Sequence, residues 1–149
     1  PSLPSSSDPY PAPALLLAAG RGERMRPLTD TTPKPLLRVL GKPLMQWSME
    51  ALARAGVRRL VVNTAWLGSQ IAEYFGSDFS LYPPWNEREK LSIQEQNSMR
   101  IQYSHEGQDF GGALETAGGI ARALPLLCPD TKCKEAFLIY QTVGREKND

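Results

Sequence analysis

Cysteine and histidine are scarce in this chain. Its 149 residues hold Cys128, Cys133 and a single histidine, His105. A zinc site needs four ligands at suitable spacing, and this set does not supply them. The two thiols, spaced C-x4-C, read as reduced and cytosolic rather than as a local disulfide. Long apolar runs are also missing. None approaches the roughly 20 residues of a membrane span. Neither sign of charge is in excess: 17 basic and 16 acidic residues nearly cancel. That balance gives no general pull toward nucleic acid or an anionic membrane, so local clusters matter more than the total.

What is present suits one soluble globular domain, with 41% apolar and 22% charged residues and enough length to bury a core. The opening stretch PSLPSSSDPYPAPA carries no positive region. It reads as a flexible tail rather than a signal peptide, and a cytoplasmic location is expected.

Strands and helices alternate along the rest. Ala14–Ala19, bounded by prolines and Gly20, has the length of a strand buried on both faces. Gly41-Lys42-Pro43 opens a helix whose apolar residues recur from Leu44 to Ala55, with Gly56 closing it. Val57–Asn63 is the second strand, Leu67–Phe75 the second helix and Met99–Ser104 the third strand. Leu114–Leu124 is predicted as a third helix stopped by Pro125, and Ala136–Tyr140 as a fourth strand. The order predicts an α/β fold: a Rossmann-like, doubly wound, mainly parallel sheet with helices on both faces, truncated at the fourth strand. The domain is expected over 15–140, with a long insert loop at 77–98 and tails at 1–14 and 141–149.

In such sheets ligands sit beyond the carboxyl ends of the strands. There the chain places LLLAAGRGERMRPLTDTTPKP, Leu15 to Pro35. Gly20-x-Gly22 lets backbone N–H groups approach an anion closely. Arg24 offers a planar fork to phosphate oxygens and Lys34 a mobile point charge. Arg21 and Arg26 read as solvated loop charges paired with Glu23 or Asp30, and Trp66 as packing on the next helix. The stretch is not a P-loop, because no lysine follows the second glycine. It is not the dinucleotide fingerprint G-x-G-x-x-G either, since Met25 stands at the third glycine. The short G-x-G taken alone fits a generic turn equally well.

The longer pattern is more specific. Leu17-Ala18-Ala19-Gly20-x-Gly22-x-Arg24-Met25-x-Pro27-Leu28-Thr29, continuing to Pro33-Lys34-Pro35, resembles the signature of the sugar-phosphate nucleotidyltransferases. Asn63-Thr64-Ala65-Trp66-Leu67-Gly68 and Leu114-Glu115-Thr116-Ala117-Gly118-Gly119-Ile120 resemble its branch of N-acetylmuramate-1-phosphate uridylyltransferases and mannose-1-phosphate guanylyltransferases, with the muramate type favoured. The resemblance covers the nucleotide-binding N-terminal part, about Leu15 to Ile139.

It implies the reaction NTP + sugar 1-phosphate → NDP-sugar + pyrophosphate, with Mg2+. UTP is the favoured nucleotide and GTP the second choice. By the same resemblance Leu17, Ala18, Ala19 and Gly20 lie along the nucleotide, with Gly20 and Gly22 donating N–H groups to its phosphates. Arg24 binds the phosphates and the leaving group, and Lys34 neutralises charge at the α-phosphate. Glu106, Gly118 and Gly119 meet base and ribose, Glu106 standing where relatives often carry a base-reading glutamine. Two glycines in a helix cost stability, so close approach of a ligand is the expected reason for Gly118 and Gly119.

The family's fourth strand ends in Gly-Asp, whose aspartate holds the magnesium. Here Tyr140 runs into Gln-Thr-Val-Gly-Arg-Glu-Lys-Asn-Asp149 and offers no such aspartate, so no metal ligand is assigned. The chain thus reads as an N-terminal fragment, or as one whose last residues diverge, with catalysis in question. The alternative function is a non-catalytic module that holds nucleotide or pairs with another subunit. A dinucleotide-binding oxidoreductase ranks last, because the second strand ends Asn63-Thr64 without an acidic residue. A fourth strand at the sheet edge predicts self-association.

Overall fold

Backbone pairing follows the apolar runs. In the computed structural model, which describes residues 12–80, 98–106, 116–128 and 138–141, β1 (Ala14–Ala18) is an interior strand of a mainly parallel sheet. It pairs with β4 (Arg59–Thr64) on one side and β7 (Leu138–Gln141) on the other. β4 continues to β6 (Ser98–His105) in parallel. A short strand, β5 (Asp78–Ser80), runs antiparallel to β6 at the edge. The order is β5-β6-β4-β1-β7.

Side chains alternate across the sheet and so build two cores. Ala14, Leu16, Leu60 and Val62 face α2 (Leu44–Arg54) and α3 (Gly68–Phe75), where Met45, Met49, Leu52 and Ile71 meet them. Leu15 and Val61 face α4 (Thr116–Leu127), through Ala123 and Leu127. Burying a side chain of this size stabilises by about 1.5–3 kcal/mol, so the two layers fix the orientation of β1. Helices lie on both faces, as the alternation of elements predicts.

Several expectations change. The third helix is not stopped by Pro125, because α4 runs on to Leu127 with the proline inside. Proline removes one hydrogen bond, but here the last turn is held by Leu127 in the core and by the Cys128 N–H bonded to Leu124 O at 2.8 Å. Cys128 is disulfide-bonded, which overturns the expectation of a reduced thiol. The first helix is preceded by an unforeseen hairpin, β2 (Arg38–Val39) with β3 (Lys42–Pro43), turned by Leu40 and Gly41 at φ 51° and 84°. Of the segment expected as an insert, Asp78–Ser80 forms β5 and Ser98 opens β6, while 81–97 lies outside the described residues. So do nearly all of both expected tails, and Glu115. Among the described residues β7 is an edge strand, and no helix is long and apolar enough to cross a membrane.

Candidate functional site

β1 ends at Ala18, and the chain leaves the sheet through Ala19 and an exposed Gly20. Gly22 then takes a left-handed conformation, φ 70° and ψ 37°, before the single 3-10 turn Glu23–Met25. Glycine is required there twice over. An L-residue disfavours that φ, and a Cβ would stand 2.7 Å from Thr29 Cγ2 and 3.3 Å from Lys34 Cβ. At Gly20 a Cβ would meet nothing within 4 Å.

Thr29, in the one-turn helix α1 (Leu28–Thr31), is the hub of this loop. It is fully buried, and its Oγ1 donates to Gly22 O at 2.8 Å. Its carbonyl accepts from Arg21 Nη1 at 3.0 Å and from Trp66 Nε1 at 2.8 Å. The Arg21 guanidinium also lies 3.9 Å from the centre of the Trp66 ring. Asp30 closes the outside: Oδ1 accepts from Arg21 Nη2 at 3.0 Å and from Arg26 Nε at 2.9 Å. Those two hydrogen bonds hold the Asp30 carboxyl below its ordinary range. Arg26 is raised in turn, chiefly by its bond to Asp30. Arg21 and Arg26 are therefore spent on bracing, as the sequence suggests. Trp66 does more than pack on a helix, because it ties the β4–α3 turn to the loop. Gln70 adds a tie from α3, its Nε2 donating to Thr31 O at 3.0 Å.

Lys34 begins the second 3-10 turn, Lys34–Leu36, half-buried beside Gly22. Its ammonium forms no hydrogen bond or ion pair among the described residues, whereas Arg21 and Arg26 do. Arg24 is exposed on the turn after Gly22.

A second group gathers at the same end of the sheet. Leu17, Asn63 and Ser104 stand side by side in register, one step before Ala18, Thr64 and His105. Glu106 follows β6 and is 3% exposed. The Asn63 amide Nδ2 donates to its Oε1. Gly119, on the first turns of α4, covers the pair. A Cβ there would stand 2.6 Å from Glu106 Oε1 and 3.0 Å from Asn63 Nδ2. Glu106 and Asn63 of the chain itself thus approach Gly119 closely. Gly118 is half-buried beside it. The Leu17 side chain packs into the α4 core, and Ala18 faces α2 and α3, so what β1 offers a ligand is backbone.

Asn63 and Thr29 hold this arrangement together through contacts that the sequence reading did not foresee, and Trp66, read there as packing on the next helix, does so too. Asn63 meets Glu106 across 43 positions and Trp66 meets Thr29 across 37, so no local pattern marks these contacts.

A magnesium site needs open carboxylates. Of those at the site, Asp30 is shared by two arginines, Glu23 faces Arg26 and Glu106 is buried against Asn63. Among the described residues no three acidic, histidine or cysteine side chains cluster. The described donor set does not fit the metal.

The family model for nucleotidyl transferases matches residues 13–139. The chain belongs to that family. It is 54% identical over 114 residues to the N-acetylmuramate alpha-1-phosphate uridylyltransferase of Neisseria meningitidis serogroup B, covering 76% of this chain and 41% of that protein. To the mannose-1-phosphate guanylyltransferase catalytic subunit beta of Danio rerio it is 33% identical over 129 residues, 87% of this chain and 30% of that one. Among solved structures, UDP-glucose pyrophosphorylase complexed with UDP-glucose superimposes with a TM-score of 0.59 at 25% identity, over 88% of this chain and 45% of that chain. This nucleotidyltransferase chain therefore spans less than half the length of these relatives.

Proposed function

We propose that this nucleotidyltransferase chain supplies the nucleotide-binding part of a sugar 1-phosphate uridylyltransferase, acting in nucleotide-sugar biosynthesis. The observation that carries the reading is the braced loop at the carboxyl end of β1. There Gly22 is pinned in a left-handed turn, with the Lys34 side chain beside it and no partner for its ammonium among the described residues. The name of the 54% identical relative supports uridine as the base and N-acetylmuramate 1-phosphate as the acceptor.

In the proposed reaction an oxygen of the sugar phosphate attacks the α-phosphorus of UTP. A new P–O bond forms, the bond from the α-phosphorus to the bridging oxygen breaks, and pyrophosphate leaves with that oxygen. Little covalent chemistry falls to the chain, whose work is positioning and charge neutralisation. Gly20 and Gly22 N–H groups and Arg24 hold the phosphates. Lys34 sits against charge that develops at the α-phosphate. Ala18 and Ala19 offer backbone to the nucleoside. The Glu106–Asn63 pair, with Gly118 and Gly119, forms the wall toward base and ribose.

Calorimetric titration with UTP, GTP, CTP and dTTP tests the proposal. Saturable binding of UTP ahead of the others is the expected outcome. No binding by the folded chain would overturn it, and preference for GTP would move the assignment to the guanylyltransferase branch.

A further inference from the structure

The opposite end of the sheet carries its own concave, basic surface. Arg59 opens β4, and its partner in register on β6 is Arg100, which faces Asp78 across the antiparallel pair with β5. Residues directly opposite one another share a face, and Arg59 lies on the face of Val61, the one that α4 covers. There a cavity of about 460 Å3 opens, with Arg58, Arg59, Arg100 and Asp78 on one side and Pro125 and Leu126 of α4 on the other. That volume is within the range of small-molecule sites. Along β4, at about 3.3 Å per residue, the cavity is about 16 Å from the end of the strand where the Gly20–Gly22 loop lies.

Three guanidinium groups meet one carboxylate here, and their engagements differ. Arg58 donates to Ala53 O at 3.2 Å and Val57 O at 3.0 Å, where it serves the end of α2. Arg59 reaches Leu126 O only at 3.5 Å. Arg100 forms no side-chain hydrogen bond or ion pair among the described residues, and Asp78 receives Ser77 Oγ at 3.3 Å without bridging to it. Like charges directly opposite on neighbouring strands repel. Both arginines are exposed, so packing does not explain their placement. A concave wall concentrates the field of such a pair, and two guanidinium forks side by side match the oxygens of a phosphoryl group.

We propose that this cavity is a second anion site, which takes the phosphoryl group of a small phosphorylated compound between Arg59 and Arg100. Pro125 and Leu126 give its organic part an apolar wall. The site is independent of the nucleotide loop.

Amide NMR of the 15N-labelled chain reads the two ends of the sheet separately. Inorganic phosphate, pyrophosphate and glucose 1-phosphate are titrated in turn. Saturable shifts at Arg59, Asp78 and Arg100 are expected, at least about tenfold weaker in Arg59→Gln/Arg100→Gln. Shifts at Gly20–Gly22 should be unchanged by that double variant. Asp78→Asn removes the single opposing charge from an exposed position and should tighten binding. Tighter binding of glucose 1-phosphate than of inorganic phosphate would assign an ester, and equal binding the phosphoryl group alone; both support the site. No saturable shift at Arg59 and Arg100, or shifts of unchanged affinity in the folded double variant, would overturn it.

Discussion

Arg21 and Trp66 share one acceptor. Both donate to the carbonyl of Thr29, at 3.0 and 2.8 Å, while the guanidinium lies over the indole at 3.9 Å. The pair therefore clamps a single peptide from two elements that are distant in the chain, the loop after β1 and the turn after β4. An exposed cation–π contact is worth about 0.5–1 kcal/mol and a hydrogen bond about 1 kcal/mol. Trp66→Ala should loosen the loop without unfolding the sheet. Hydrogen exchange at loop amides should rise, and affinity for triphosphate should fall severalfold. Trp66→Phe, which keeps a ring but loses the donor, should lie between. Unaltered exchange in both variants would dismiss the clamp.

Gly20 and Gly22 should respond differently to alanine. Gly22→Ala meets both a positive φ and the Thr29 methyl at 2.7 Å, so strain of about 1–2 kcal/mol adds to a clash. A lower Tm and lost triphosphate binding are expected together. Gly20→Ala meets nothing within 4 Å, so the Tm should hold. Its affinity should nonetheless fall if a phosphate lies against that N–H. Calorimetry beside a thermal melt separates the two cases.

Lys34→Ala removes a charge whose ammonium has no partner among the described residues. Its Tm should therefore stay within about 0.5 kcal/mol of the parent in stability terms. UTP affinity should drop by about tenfold, as befits a lost charge-assisted contact. A variant with full affinity would remove Lys34 from the phosphate assignment.

The Glu106–Asn63 pair makes a prediction against helix propensity. Alanine at Gly119 would favour an isolated helix by about 1 kcal/mol. In this chain it drives a methyl to 2.6 Å from a buried carboxylate oxygen, and overpacking costs about 1–3 kcal/mol. Gly119→Ala should thus destabilise, as read by urea unfolding. Glu106→Ala should also destabilise, because the buried Asn63 amide loses its acceptor. Glu106→Gln keeps an acceptor and should be milder.

Loop order should depend on pH with a defined sign. Asp30 is held below its ordinary value by Arg21 and then Arg26. Its contribution is complete above the unfolded-state value, about 3.9, and is lost as pH falls through the lower folded value. Protection of the loop amides should therefore decline below about pH 4. Asp30→Asn should flatten that dependence, and equal slopes would refute the assignment. The bridge is exposed, so added salt should weaken it.

The sequence made the local features legible. β1, α2 and β4 follow from apolar runs and periodicity, and the Gly20-x-Gly22 turn from residue type alone. Three things were not legible because they depend on contacts across the fold. Trp66 meets Thr29 across 37 positions and Asn63 meets Glu106 across 43. α4 survives Pro125 because Leu127 is anchored in the core beneath it. The β2–β3 hairpin consists of two-residue strands, too short for any alternation to register.

Fastening the loop after β1 at Thr29 makes it a buckle rather than a hem. Stitched segments fray one residue at a time from their ends. Here Gly22, Arg21 and Trp66 converge on one buried residue in the middle, so a lesion at the catch releases both arms together. Damage to this loop should thus appear as a switch between fastened and open, even when the substituted residue sits in the turn after β4.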